Sequence, residues 1–345
     1  MKCSACLLVF LFISSHFSFA QHPAGEDYIL SSGEIKIAFP EKAFFKNEKL
    51  PFRNIVVSDV RYDSSKLGYI KNGSAKYDKI QLKTNWTDIL INYFKDNLDA
   101  TSDKTLFIVI KSFWMQKGII EELTSKKVVQ KDLFGKSDVA GNCKAAIDIY
   151  LADSVLYPLF KLDAAFLNFY KFKENKLDEW LYLPFDSIAK RILSTDINSL
   201  LVKKKKLSFE EVNTFYKKRF DLPTLKSKPT EKGIFLTFDD FCSNKLYVTD
   251  YRIQRGNLTD ELYTVHNSHE ELVSEFWGVT DGETLLVKVG FNVYTAVRQQ
   301  NTFETFGGKY ISNYHNNPQP GYISISTMNV DKKILHLNME TGIFY

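Results

Sequence analysis

The sequence predicts an α+β protein: an N-terminal α/β sandwich whose sheet carries two helices on one face, followed by a β-rich, mostly antiparallel domain. Three observations carry that expectation. Between residues 51 and 202, β-branched apolar runs alternate with two stretches of helical periodicity. From residue 233 onward the chain breaks into short apolar runs separated by turn-forming residues. And 345 residues are too many for one ordinary hydrophobic core, which suits two domains.

Taken in order, Lys2, the apolar run LLVFLFI at 7–13 and the small residues Ser18 and Ala20 read as a secretory leader cleaved before Gln21. The run is too short for a stable bilayer anchor. Cys3 and Cys6 precede it, whereas a lipid-bearing cysteine would follow it. The leader is thus residues 1–20, and residues 21–205 form the α/β domain. In that domain FRNIVVSDVRYD (52–63) is a strand, which LGYIK (67–71) continues after a Ser-Ser turn. NWTDILINYFKDNL is an amphipathic helix with Asn85 as N-cap, Asp88 in its first turn, and Trp86, Ile89, Leu90, Tyr93 and Phe94 on one stripe. Residues 104–116 form a buried strand, and 143–166 a hairpin turning near Asp153. A second helix is expected to start at Pro184, a good first-turn residue, and to bury Phe185, Ile188 and Ile192.

Lys203 to Lys206 mark the junction, read as a solvated helix end where cations suit the helix dipole. Residues 206–345 form the β-rich domain. It opens with a short helix capped by Ser208 and Glu211, then a Pro-containing linker at 221–233. Thr237 and Asp240 cap another short helix. Strands are expected at 246–253, 261–265, 272–279, 294–298, 302–306, 322–328 and 334–337, with Asp281-Gly282 as a two-residue hairpin turn.

Chemistry is sparse. In HNSHEE (266–271) two histidines sit three apart, but Asn and Ser favour a turn, and residues i and i+3 of one strand point to opposite faces. The segment reads as a polar bend, with no third ligand nominated by spacing. Asp239-Asp240 reads as helix capping rather than an acid–base pair. FGKS (134–137) lacks the first glycine of a phosphate loop, and there is no nucleophile elbow or dinucleotide fingerprint. Cys143 and Cys242 read as packing thiols in separate domains. Asp59-x-Arg61 reads as an exposed surface ion pair. Sequons occur at Asn72, Asn85 and Asn257, of which Asn85 is better explained as the cap. No catalytic, cofactor-binding or metal-binding residue is assigned. A net charge of +4 gives no electrostatic footprint for nucleic acid, and no apolar run after Gln21 is of membrane-spanning length.

NIVVSDVRYDSSKLGYI, a helix, then LFIVIKSFW resembles small envelope lipoproteins of the transport-auxiliary and lipopolysaccharide-assembly type, without their lipid-bearing cysteine and with a large C-terminal half added. CKAAIDIYLADSVLYPLFKLDAAF, IFLTFDDFCSNK and the stretch 276–308 resemble uncharacterised exported proteins of Bacteroidota. These resemblances imply a periplasmic, outer-membrane-associated or extracellular location and transfer no functional residue. The expected function is a non-catalytic envelope or secreted protein that binds another envelope protein or surface component, needing no cofactor. The alternative is an extracellular hydrolase with scattered acidic catalytic residues.

Overall fold

A computed structural model describes residues 29–37, 48–72, 76–116, 141–168, 177–197, 199, 205–228, 230–256, 259–307, 310–313, 327–330 and 333–345. The leader, the FGKS segment, Lys203, Lys204, Asn257 and most of the strand expected at 322–328 lie outside the described residues. The fold is α+β and mostly β, as the sequence indicates.

The first sheet comprises β1 (Ile29–Ile37), β2 (Asn54–Asp59), β3 (Gly68–Asn72), β4 (Lys76–Leu82), β5 (Thr105–Gln116), β6 (Gly141–Ala152) and β7 (Leu156–Asn168). Its order is β1-β4-β3-β5-β6-β7. The strand β2 shares the edge of β5 with β3: Asn54–Asp59 run parallel to its first half, and Gly68 and Tyr69 meet Met115 and Gln116 at its end. The two segments read from sequence as one continued strand are therefore two, separated by a loop at 60–67. Strands β1 and β4 were not visible in the sequence.

The helices α1 (Trp86–Phe94) and α2 (Asp178–Leu193) cover one face of this sheet, as expected. Asn85 caps α1, its side chain accepting from the Asp88 N–H at 2.9 Å. Leu90, Phe94, Leu181 and Phe185 meet Ile108, Ile110, Ile147 and Ile149, all at most 1% exposed. Each such side chain contributes about 1.5–3 kcal/mol by leaving water. Helix α2 starts at Asp178, so Pro184 sits in its interior and not at its first turn. The missing N–H costs one helical hydrogen bond. Burial of Trp180, Leu181 and Tyr182 in the turn before it favours continuing the helix through the proline.

The opposite face of the first sheet is covered from beyond the lysine run. Ser208 and Glu211 form the expected capping box on α3 (Phe209–Lys218). This helix lays Val212 and Tyr216 on Phe107, Val109 and Tyr150. Lys205 and Lys206 are exposed and precede α3, outside any helix. The short α4 (Pro223–Lys226) follows.

The remaining chain is β8 (Gly233–Phe235), α5 (Phe238–Cys242), β9 (Tyr247–Val248), β10 (Tyr251–Gln254), β11 (Glu261–His266), β12 (His269–Val273), β13 (Gly278–Thr280) and β14 (Leu285–Val289). Then come β15 (Asn292–Gln299), β16 (Thr302–Gly307), β17 (Tyr310–Asn313), β18 (Thr327–Val330) and β19 (Lys333–His336). A second sheet, antiparallel throughout, has the order β19-β16-β15-β14-β13-β8-β9. Phe235, Val287 and Phe303 fill one of its faces with Phe241 of α5. On the other face Ile234, Val279 and Val293 meet Leu262 of a small sheet, β10-β11-β12. Two expected strands are broken: 246–253 is β9 and β10, which join different sheets, and 272–279 is divided between β12 and β13. The Asp281-Gly282 hairpin exists, but Thr280 pairs Leu285, so its loop has four residues. The Asp281 carboxylate accepts from the Glu283 and Thr284 N–H groups at 2.9 and 2.7 Å, which closes that longer turn.

Candidate functional site: a cleft between the two sheets

The sheets meet through Tyr69, Tyr77 and Trp114 of the first and Phe306, Ile334 and Tyr345 of the second part. Beside this contact lies a cleft of about 350 Å³. Its position follows from a β-bulge in β5. Ile110 pairs Ile147 but Ser112 pairs Ala146, leaving Lys111 as the extra residue. Alternation would put Lys111 and Ser112 on opposite faces; the bulge turns both away from the helix layer. Ser112 then shares the cleft floor with the small residues Ala146, Ala164 and Ala165. Trp114, His336 and Tyr345 form the wall, and Lys144, Asp163, Arg219 and Glu340 lie around it.

A buried ionic latch joins the sheets at one end. The Lys66 ammonium lies 2.6 Å from Asp63 and 3.1 Å from Glu304, and all three side chains are at most 2% exposed. Tyr69 donates its hydroxyl to Glu304 at 3.0 Å. His336 Nδ1 is 3.4 Å from the other Glu304 oxygen, and its ring stacks on Trp114 at 4.1 Å. Burial pushes the Asp63 carboxyl up, but hydrogen bonds from Lys66 and Ser65, with the lysine charge, outweigh it and hold the group below the usual carboxylate range.

Arg61 builds the loop that carries this latch. Its Nε and Nη2 bind both oxygens of Asp59 at 2.9 and 2.7 Å, while Nη1 and Nη2 also donate to the Lys66 and Ser64 carbonyls at 2.6 and 3.1 Å. The expected exposed pair is thus half-buried: the Arg61 side chain is 5% exposed and that of Asp59 22%. The expectation failed because β2 ends at Asp59 and the chain folds back over Arg61 instead of continuing as a surface strand.

Lys111 sits 3.0 Å from Asp148, whose other oxygen accepts from the Tyr216 hydroxyl at 2.5 Å. Burial first, then the hydrogen bond to this anion, holds the Tyr216 hydroxyl far above its ordinary range. Arg219 spans the junction: its guanidinium donates to the Val60 and Lys111 carbonyls at 2.9 and 3.3 Å, lies 4.8 Å over the Tyr62 ring and reaches Glu340 at 2.9 Å.

The other residues considered from sequence lie elsewhere. His266 and His269 flank a two-residue turn in which Asn267 and Ser268 have φ of 48° and 66°. The bend is real, but the register pairs the two histidines directly across the hairpin, so they share a face. No group of three or more His, Cys, Asp or Glu with metal-holding geometry occurs among the described residues. Asp240 completes the expected capping box with Thr237. Both cysteines are free thiols; Cys143 is buried, and burial with the Asp239 charge raises half-buried Cys242 to about 11. No helix among the described residues is long and apolar enough to cross a membrane.

Sequence reasoning missed Lys66, Lys111, Ser112, Glu304 and His336. One signal was available: Glu304 interrupts the apolar strand TFETF, where an uncompensated charge is costly. Its partners are remote in sequence and gave no local sign. Chemically, the cleft gathers Asp63, Asp163, Glu340 and His336, as a hydrolase needs. However, Asp63 and Glu340 are spent in ion pairs, and Ser112 contacts the Tyr345 hydroxyl at 3.4 Å rather than His336. No hydrogen bond between a nucleophile and His336, of the kind a covalent hydrolase needs, is made among the described residues of the cleft. In comparisons with known proteins, the chain matches no family model, no curated protein and no solved structure.

Proposed function

We propose that the chain is an exported, non-catalytic protein that binds another envelope or surface component through the open edge of its second sheet. The observation that carries this reading is at β9. Among the described residues no strand pairs with its outer side, and its Tyr247 and Val248 are 50% and 60% exposed. An edge strand with unpaired N–H and C=O groups is a template for a strand from a partner, although β9 is only two residues long and so offers a short one. Just past the end of β8, the strand that β9 pairs with, Leu236, Phe238, Phe276 and Trp277 line a shallow depression together with Glu275 and Lys288, and Leu236 is 47% exposed. A shallow apolar surface next to an open edge suits a protein partner better than a small substrate. Export rests on the leader reading alone.

The test has two arms. Fractionation and N-terminal sequencing should place a chain beginning at Gln21 in the envelope or secreted fraction; intact Met1 in the cytosol opposes export. A photo-crosslinking residue at Val248 should trap one defined adduct in native envelopes, lost on Tyr247→Lys. Absence of any adduct opposes edge binding. The hydrolase reading keeps one supporting observation, the His336–Glu304 pair beside Ser112 in a cleft, and ester turnover abolished by Ser112→Ala would favour it.

A further inference from the structure

The arginine–carboxylate pairs of this protein differ in a telling way. Arg61 and Arg252 each present the Nε–Nη2 edge to both oxygens of one carboxylate, Asp59 at 2.9 and 2.7 Å and Glu270 at 2.9 and 2.6 Å. Arg219 meets Glu340 through Nη2 alone, as Arg255 meets Asp260 through Nη1, but Arg255 is half exposed, whereas the Arg219 Nε is fully buried and has no acceptor among the described residues. A guanidinium edge is shaped for two parallel bonds to an oxyanion, so Glu340 fills half of this seat. The two partners are also unequally fixed. The Arg219 side chain is 11% exposed and held by two carbonyls, whereas Glu340 is 44% exposed on the turn at 338–342.

We propose that the inter-sheet cleft binds a small organic anion, whose carboxylate or phosphate displaces Glu340 and takes both Nε and Nη2 of Arg219. Three further observations bear on it. The Trp114 indole N–H, on a side chain 3% exposed in the cleft wall, is a second buried donor without an acceptor among the described residues. Lys144 and Lys111, the latter already paired with Asp148, line the same cleft, as does the carboxylate of Asp163. The aromatic faces are taken, Trp114 by His336 and Tyr345 by the Lys144 ammonium at 5.0 Å, so recognition runs through charge and hydrogen bonds rather than stacking. A volume of about 350 Å³ falls at the lower end for small-molecule sites. Glu340 is then a built-in competitor that keeps the seat neutral until the ligand arrives.

This site is separate from the β9 edge, and its test does not depend on partner binding. Calorimetric titration of the whole mature chain with inorganic phosphate and, separately, with succinate, both in a chloride background, should give saturable one-site binding of at least one. Phosphate alone saturating assigns a phosphate ligand; succinate alone assigns a carboxylate. Glu340→Gln removes the competitor and should tighten binding by up to about fivefold, the worth of a partly exposed ion pair. Arg219→Lys keeps the charge but loses the fork and should weaken binding about tenfold or more. Should Arg219→Lys fail to fold, the Glu340→Gln titration decides. Saturable binding by neither anion, or an affinity that Glu340→Gln leaves unchanged or weakens, overturns the proposal.

Discussion

The first sheet buries aspartates against both of its neighbours, and the two are treated oppositely. Against the helix layer, Asp186 of α2 faces the Tyr93 hydroxyl of α1 in mostly hydrocarbon surroundings, and burial raises its carboxyl above the ordinary range. Against the second sheet, Asp63 is as buried, yet hydrogen bonds and charge from Lys66 take its carboxyl below that range. Depth therefore does not decide the direction of the shift; a cation within bonding distance does. The helix layer is held by apolar packing, and burial there raises the carboxyl it encloses beside Tyr93. The inter-sheet contact depends on a full charge, and only where that charge is matched can two sheets be joined through polar side chains.

The contrast can be broken in several ways. The largest effect is expected from Lys66→Met, which leaves Asp63 and Glu304 buried without a cation and should cost about 3–5 kcal/mol in denaturant unfolding. A loss below about 1 kcal/mol would mean the latch is not what joins the sheets. Next is the pH dependence, where the two aspartates carry opposite signs. With a depressed folded pKa, Asp63 contributes stability present above its unfolded value near 4 and lost as pH falls through the folded value. With a raised folded pKa, Asp186 contributes stability present below its unfolded value and lost as pH rises through the folded one. Asp186→Asn keeps an acceptor for Tyr93 and should raise the unfolding midpoint at neutral pH while removing that decline. Asp63→Asn should lower the midpoint at neutral pH and remove the acid loss. Thermal scans from pH 3 to 8, a range of about 5 units around these values, distinguish them, and equal slopes in both variants would contradict the assignment.

Smaller effects mark the exposed elements. Ser208→Ala removes the α3 cap and should cost about 1 kcal/mol, read from the same unfolding curves. Arg252→Ala breaks a two-point ion pair with geometry like that of Arg61–Asp59, but both partners are more than 40% exposed. Its midpoint should not move measurably, and a clear loss would show that geometry outweighs solvation.

Parts of the fold were legible residue by residue. Asn85 with Asp88, Ser208 with Glu211 and Thr237 with Asp240 announced three helix starts, because a cap is a bond between positions three apart. The β6–β7 hairpin was legible for the same local reason. The extra turns of α2 before Pro184 were not, since their helicity comes from what Trp180 and Leu181 pack against. The cleft was hidden more deeply. Whether Lys111 bulges depends on the register of β6 against β5, and the Lys66 latch joins positions more than 230 residues apart.

The sequence by itself determined the α+β class, three of the helix caps and most of the strands, because these follow from contacts between residues a few positions apart. Tertiary structure alone decided that Arg61 is buried, that His266 and His269 share a face, that Lys66 pairs with Glu304, and that His336 and Arg219 line one cleft. Each of these depends on strand register and on which surfaces dock. Register and docking are set by the summed burial of many side chains, and no single segment of the chain encodes them.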